Sequence, residues 1–561
     1  MPKLITCIGS ILMILSSLGI ICLIILYSTT TSINYKVSYD CDGIEFNSMA
    51  IQCFSITHQT QYSIGVDSGS THSRVILFRW RADKLNNTGL IEEVRSCEVG
   101  TGISKFVGKK MNSVADRLIE CIADLRKMIN SKIEDVFVYL GATAGMRLLN
   151  MSEPNTAAKI MDRIQNEFDL FGLQTKQISI ISGHEEGLFA WIAANYLSGS
   201  LIFDQTSSSS SRKKFAITSR RKYPFSSSAL LGQSPTYGIV DMGGASVQIA
   251  YEVPKTNATL NRKDPSTDEH ITKITLFNHN FSVESFSDLC FGTHQAMNRY
   301  LKVVIEDYLS TQSDLELNRL TSNFDSNGII KVPCFPSDLR TSTFDYQIYD
   351  NLCTKQKIIS KLPKKKTEFR LIGTSQTEQC QESIDRLLNI NECRKKFEIC
   401  FKEFDADKNH HLFYALSAYY HSTKRLNLSE TASIEQLTNQ TKMVCSMSKH
   451  QLLNDLQIPY RYIASLCFDL SYIIRTLTRL YKFNEETWSN LRFVDQINRT
   501  YVGWITGLMI NATNTMPAEE PIQSLMKFSV YLSLIIILAL FFIINCIIVI
   551  LKSKSTEVSV Y

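Results

Sequence analysis

The chain has 561 residues, 44% of them hydrophobic and 20% charged, with a formal net charge of +5. That length supports two domains with full cores, and so small a charge, partly local to 212–222 and 361–366, excludes a nucleic-acid footprint. The apolar content is concentrated at the two ends, which excludes a plain soluble globule.

The first run, Leu4 to Tyr27, is long enough to span a bilayer and reads as an uncleaved signal anchor behind Lys3. The second, Phe528 to Leu551, holds no charged residue and is followed by Lys552 and Lys554. Cationic flanks belong inside, so both termini are expected in the cytoplasm and everything between the spans outside. Of 15 Cys, Cys7, Cys22 and Cys546 fall in the spans, leaving an even number for an oxidised ectodomain. Glycosylation sequons at Asn86, Asn150, Asn257, Asn280, Asn427, Asn439, Asn498 and Asn511 agree with that topology. The expected location is the plasma membrane, embedded by two spans. Their Cys and Ser residues leave a homo-oligomer open.

After a stalk (28–61), Tyr62–Val66 and Val75–Phe78 read as buried hairpin strands around Asp67-Ser68-Gly69-Ser70-Thr71-His72-Ser73-Arg74. A turn rich in Gly and Ser presents amides and hydroxyls to whatever sits above it. Met111 to Ile129 has helical periodicity, and Val136–Leu140 is a strand leading into Gly141-Ala142-Thr143-Ala144-Gly145-Met146-Arg147, where small residues would let a ligand approach the backbone. Thr156–Phe168 reads as a helix and Gln177–Ile181 as a strand. They precede Ser182-Gly183-His184-Glu185-Glu186-Gly187 and a buried helix over Leu188–Leu197.

Leu201–Gln233 is Ser-rich, basic and aperiodic, an exposed insertion. A second strand, Tyr237–Val240, then delivers Asp241-Met242-Gly243-Gly244-Ala245-Ser246 ahead of Val247–Tyr251. Strand, Asp, small residues, strand is the opening pattern repeated. Two such loops suggest a duplicated unit offering paired carboxylates and amides to a metal-phosphate. Lys255–Asp288 reads as polar and Leu289–Ile305 as a helix. Phe404–Asn409 opens like a calcium loop, but His410 and Leu416 stand where Gly and Glu are required, so that reading fails. Leu412–Lys424, Gln451–Tyr481 and Thr487–Ile497 are expected to be helical, and a membrane-proximal stalk covers 517–527.

The repeated loops resemble the actin, sugar kinase and heat-shock chaperone ATPase superfamily. The ordered strings DSGSTHSR, GATAGMR, SGHEEGLFAWIAANYL, DMGGASVQ and FYALSAYYH look like the apyrase conserved regions of the ecto-nucleoside triphosphate diphosphohydrolases, cell-surface two-span type. The resemblance implies an α/β fold of two ribonuclease H-like lobes, 62–236 and 237–516, with the active site in the cleft between them. It also implies extracellular hydrolysis of nucleotides such as ATP and ADP.

Carried over by position, Glu186 is the general base and Ser246 holds the attacking water. Asp67 and Asp241 would hold Ca²⁺ or Mg²⁺, mostly through its water shell. Ser68, Gly69, Ser70, Thr71 and His72 would cradle the phosphates with Gly243, Gly244 and Ala245, and Thr143 and Arg147 would lie nearby. Tyr420 and Arg461 are assigned to the base, with Tyr462 or Thr293 in reserve. The family pattern pairs Cys97 with Cys121, Cys290 with Cys353, Cys334 with Cys380, Cys393 with Cys400 and Cys445 with Cys467, with Cys41–Cys53 as an extra. A phosphotransferase and a non-catalytic nucleotide receptor fit the loops equally, but the first fits the topology poorly and the second has no need of Glu186.

Overall fold

The two Asp-containing loops each close a pair of antiparallel strands, and one strand order is built around each. The computed structural model describes residues 14–22, 60–82, 84–129, 136–202, 236–253, 270–311, 329–355, 368–402, 411–518 and 528–557. The insertion 201–233 beyond residue 202, Cys41, Cys53 and the calcium-like loop at 404–409 lie outside these residues.

In the first lobe β1 (Thr60–Ser68) pairs antiparallel with β2 (Ser73–Arg81), which pairs with β3 (Glu92–Val99). On the other side β4 (Phe137–Ala142) runs parallel to β1 and β5 (Gln174–Ile180) parallel to β4, giving the order β3-β2-β1-β4-β5. Three helices pack over one face. Helix α1 (Asp116–Arg126) is shorter than its periodicity predicts, because Gly108–Ser113 is wound as a 3₁₀ turn. It is followed by α2 (Ala144–Ser152) and α3 (Pro154–Leu170). Ile160, Ile164 and Phe168 on α3 close a core with Val66, Val75 and Leu140.

The second lobe repeats this plan. After α4 (Gly183–Leu197), β6 (Gly238–Met242) pairs antiparallel with β7 (Ser246–Glu252), and β8 (Ile271–Leu276) and β9 (His279–Leu289) extend that side. Next come α5 (Thr293–Ser310), a small sheet of β10 (Ile329–Val332), β11 (Arg340–Phe344) and β12 (Glu368–Gly373), and α6 (Thr377–Leu387). Strand β13 (Phe413–Ser417) runs parallel to β6 and is followed by α7 (Ala418–Arg425). After α8 (Leu466–Arg475), β14 (Leu491–Phe493) runs parallel to β13. The order is β14-β13-β6-β7-β9-β8, the first lobe's arrangement with one added strand. This is the duplicated α/β architecture the two loops imply.

Three segments depart from expectation. Leu412–Lys424 is strand β13 before it is a helix, because Phe413, Ala415 and Leu416 are buried beside β6. Thr487–Ile497 holds only the end of a short helix, Glu485–Trp488, before its residues pair as strands. The stretch read as polar before Asp288 contributes most of β8 and β9, whose alternation is masked by exposed Lys and Asn.

Between the lobes lie two helices apolar on nearly every face, the signature of burial on all sides. Residues 186–196 of α4 are all buried, and α9 (Trp504–Thr513) is equally enclosed. Together they form one core with Ile76 and Phe78 of the first sheet and Ile239, Ala250 and Val283 of the second. A lobe boundary at 237 assigns α9 to the second lobe. It touches the first sheet as well, with Met509 Sδ 4.0 Å from the Ser63 hydroxyl of β1, and Gly507 lies against the Phe189 backbone of α4.

Among the described residues five disulfides join the pairs the family pattern implies. Four of the five brace the second lobe. Counted over fully described residues, no helix is long and apolar enough to cross a membrane. Helix α10 (Phe528–Glu557) has 30 residues, but its side chains are described without a break only over 532–548, and of the first apolar run only 14–22 are described.

The seam between α4 and α9 makes one prediction. A Cβ at Gly507 would meet the Phe189 backbone, its Cα at 3.0 Å and its carbonyl closer still, and backbone in two packed helices cannot step aside. Gly507→Ala is expected to cost about 1–3 kcal/mol by overpacking, read as a fall of several degrees in the thermal unfolding midpoint. A variant as stable as the parent removes this contact from the account of how the lobes are joined.

Candidate active site

Glu185 and Glu186 are adjacent, and the helix start gives them different work. Ser182 caps α4: its hydroxyl accepts from the Glu185 amide at 3.1 Å, and the Glu185 carboxylate accepts from the Ser182 amide at 2.8 Å. This reciprocal box holds Glu185 at the rim. Glu186, one residue on, is turned inward and buried.

Its carboxylate accepts from Arg147 Nη2 at 2.7 Å and from Gln248 Nε2 at 3.1 Å. The same two donors reach Ser246 Oγ, at 3.1 Å and 2.7 Å respectively. Arg147 is fixed from behind by donating Nη1 to the Ile181 carbonyl at 3.1 Å, and Gln248 also donates to Ser287 Oγ at 3.0 Å. A carboxylate, a hydroxyl, a guanidinium and an amide from α4, β7 and α2 thus form one network. Gln248 Oε1 is buried without a hydrogen-bond partner. Gln248 stands inside the string DMGGASVQ but has no role on sequence grounds; alternation along β7 puts it on the same side as Ser246 and would have flagged it.

Asp67 and Asp241 occupy matching places, each the penultimate residue of its lobe's first strand. Burial pushes the Asp67 carboxyl up to about 8, aided by the charges of Glu186 and Asp241 and opposed by the Trp504 indole NH and by Arg74. Burial likewise raises Asp241 to about 6, with Glu186 adding to it and the Ser417 hydroxyl and Met242 amide opposing. Oδ1 of each Asp is buried without a hydrogen-bond partner. Two carboxyls so costly to ionise, each with an unsatisfied oxygen, suit a hard divalent cation that would favour their charged forms. Among the described residues no group of three or more His, Cys, Asp or Glu side chains is placed to hold a metal.

Trp504 and Ser417 have no role on sequence grounds. Trp504, the first residue of α9, lies over Gly141, where a Cβ would collide with the indole. The small residue at 141 therefore admits this indole, not a ligand as its sequence context suggests.

The two Gly- and Ser-rich loops lie against each other. A Cβ on Gly244 would stand 2.9 Å from Ser70 Oγ, 3.2 Å from Thr71 Cγ2 and 3.4 Å from His294 Nδ1. Gly243 donates its amide to the Ser246 carbonyl at 3.0 Å, and Cys290 donates to Ala245 at 2.7 Å, so the loop's form is set by its own backbone. In the first loop Thr71 Oγ1 and His72 Nδ1 are 2.9 Å apart, Ser73 Oγ donates to Ser68 Oγ at 3.3 Å, and the Thr143 amide donates to the Ser68 carbonyl at 3.1 Å. Gly69 lies beside the His72 carbonyl. Arg74 leaves this loop for the outer sheet, 3.3 Å from Glu93 and 4.0 Å from the Tyr501 ring centroid.

The residues assigned to the base have these surroundings. Tyr420 on α7 faces Asp495. Exposed Arg461 stands over the Tyr462 ring at 4.8 Å, with Arg425 at 3.7 Å, and among the described residues no hydrogen bond or ring contact joins it to Tyr420. Thr293 lies instead at the second phosphate loop, donating its amide to the Gly243 carbonyl at 3.0 Å.

Known proteins align with this chain along most of its length. It is 30% identical over 492 residues to ectonucleoside triphosphate diphosphohydrolase 1 of Bos taurus, covering 87% of each chain. With ectonucleoside triphosphate diphosphohydrolase 3 of Homo sapiens it shares 29% identity, covering 82% of this chain and 80% of that one. A crystal structure of nucleoside triphosphate hydrolases from Neospora caninum overlaps 82% of this chain and 93% of its own at 15% identity, with a TM-score of 0.48. The model of the GDA1/CD39 (nucleoside phosphatase) family matches residues 54–525, and the chain belongs to that family.

Proposed function

We propose that this protein hydrolyses nucleoside tri- and diphosphates, such as ATP and ADP, to the monophosphate and phosphate. The observation that carries this reading is the cluster of Glu186, Ser246 and Gln248, linked by hydrogen bonds of 2.7–3.1 Å beside two buried carboxylates with unsatisfied oxygens. A water held by the Ser246 hydroxyl and the free Gln248 carbonyl lies within reach of Glu186, which takes its proton as oxygen attacks the terminal phosphorus in line. Arg147 holds the Glu186 carboxylate aimed at that water. Ser68 to His72 and Gly243 to Ala245 flank the phosphates, with Thr143 behind the first loop. Asp67 and Asp241 hold Ca²⁺ or Mg²⁺, which neutralises charge on the phosphates when bound. No covalent phosphoenzyme is required. Tyr420, with Arg461 or Tyr462 opposite, receives the base once substrate draws the walls together.

The family match ends short of both apolar runs, at 54 and 525. Together with Lys3, Lys552 and Lys554, this supports two spans, cytoplasmic termini and an extracellular site in the plasma membrane. The oxidised pairs support the same placement.

Glu186→Gln is expected to lower kcat for ATP by about 10²- to 10⁴-fold, measured as phosphate release with Ca²⁺ or Mg²⁺. EDTA should abolish turnover. Undiminished release by the variant removes Glu186 from the mechanism, full activity in chelator removes the metal, and release from wild type only with an added acceptor indicates a phosphotransferase.

The raised Asp67 carboxyl adds a pH signature to the metal-free protein. Its folded value, about 8, exceeds the unfolded 3.8, so its contribution to stability is complete below 3.8 and is lost as pH rises through about 8. The unfolding midpoint should fall over that window in EDTA and recover with added Ca²⁺ or Mg²⁺. In Asp67→Asn the slope should flatten and the recovery shrink; a variant as steep and as responsive as wild type refutes the assignment.

A further inference from the structure

Ser417 stands where β13 gives way to α7, with its backbone at φ 54° and ψ −119°. A non-glycine residue avoids that region unless its surroundings impose it, and such outliers gather at functional sites. As the residue before a helix, a serine ordinarily caps it by accepting an amide hydrogen, yet the Ser417 side chain makes no cap hydrogen bond. Its hydroxyl faces the Asp241 carboxylate instead and favours the charged form. Register alone would not bring it there: Leu416 lies opposite Asp241 and Ser417 opposite Met242, so strand alternation would turn Ser417 to the other face, and the positive φ breaks that alternation.

The first lobe provides an internal comparison. Since β13 corresponds to β4, and α7 to α2, the counterpart of Ser417 is Thr143, which precedes α2 at φ −105° and ψ −147° and likewise makes no side-chain cap. Its hydroxyl lies 3.5 Å from the Ser68 carbonyl, next to Asp67. Both lobes therefore put a hydroxyl at the strand-to-helix junction beside their buried Asp, and only the second accepts a left-handed backbone to do so.

We propose that Ser417 is a positioning residue for hydrolysis, its unusual backbone aiming the hydroxyl at Asp241 and fixing that carboxylate toward the divalent cation. This rests on the hydrolase reading and on Asp241 as a cation-holding group. Helix α7, which begins at the next residue, carries Tyr420 and His421, so the same junction ties the nucleoside wall of the cleft to the metal end.

Two substitutions in the full-length chain separate hydroxyl from backbone. Ser417→Ala removes the hydroxyl and keeps the left-handed geometry unfavourable. Ser417→Gly removes the hydroxyl and relieves it. Bound Mn²⁺ is counted by electron paramagnetic resonance with a non-hydrolysable nucleoside triphosphate present, alongside kcat and KM for ATP and the thermal midpoint. Both variants are expected to weaken Mn²⁺ binding about tenfold, the scale of losing one hydrogen bond to a charged group, and to lower kcat with KM within about twofold. Wild-type Mn²⁺ affinity in Ser417→Gly overturns the proposal, whatever Ser417→Ala does, and that variant decides if the alanine form fails to fold. A wild type that binds Mn²⁺ but releases no phosphate would fail the hydrolase reading, while the binding comparison would still judge Ser417.

Discussion

Two buried carboxylates of like charge are the constraint to which the rest of this structure answers. Asp67 and Asp241 are both costly to ionise, since desolvation and the nearby charge of Glu186 oppose it. They stay in place because each is one residue from the end of the first strand of its sheet, flanked on both sides by ladder hydrogen bonds. Duplicating one strand order sets two such ends against each other. Core residues of α4 and α9 then fill the space behind, so neither sheet can turn its Asp away without opening an apolar interface.

The chemistry is divided by single-residue steps along regular elements. On α4, Ser182 and Glu185 satisfy the helix end and leave Glu186 to face inward. On β7, Ser246 and Gln248 share a side because strand side chains alternate, so a hydroxyl and an amide meet one carboxylate without any special loop. Arg147, read from sequence as a residue near the phosphates, donates to both Glu186 and Ser246 here. Its cation compensates the Glu186 carboxylate in a site that already holds two acidic groups.

Much of the frame is legible in the sequence, and the reason is local. Residues Tyr62–Val66 with Val75–Phe78, and Tyr237–Val240 with Val247–Tyr251, announce hairpins through apolar runs around small residues, and α4 shows itself by apolar content long enough only for a buried helix. Phe413–Ser417 does not, because five residues of mixed aromatic and small character suit strand or helix, and the parallel partners that decide the matter, β6 and β14, are remote in the chain. The same distance hides Trp504 and Ser417. Nothing near Trp504 says that it faces Asp67 over Gly141, and nothing near Ser417 reveals the backbone angle that swings its hydroxyl to Asp241. Roles carried by side chains of one element were readable; roles created by the meeting of two were not.

Helix α9 meets the first sheet and the core shared by both lobes. Strand β1 begins at Thr60, soon after the first apolar run, and α9 ends at Thr513, shortly before the second. These elements touch: a Cβ at Gly65 of β1 would lie 2.7 Å from Ile505 Cγ1 of α9. Both ends of the catalytic region therefore leave from the two touching elements that supply Asp67 and its Trp504 neighbour. The second lobe, with Asp241, Ser246 and α7, is joined to them through α4, the shared core and the loops at Ser70 and Gly244.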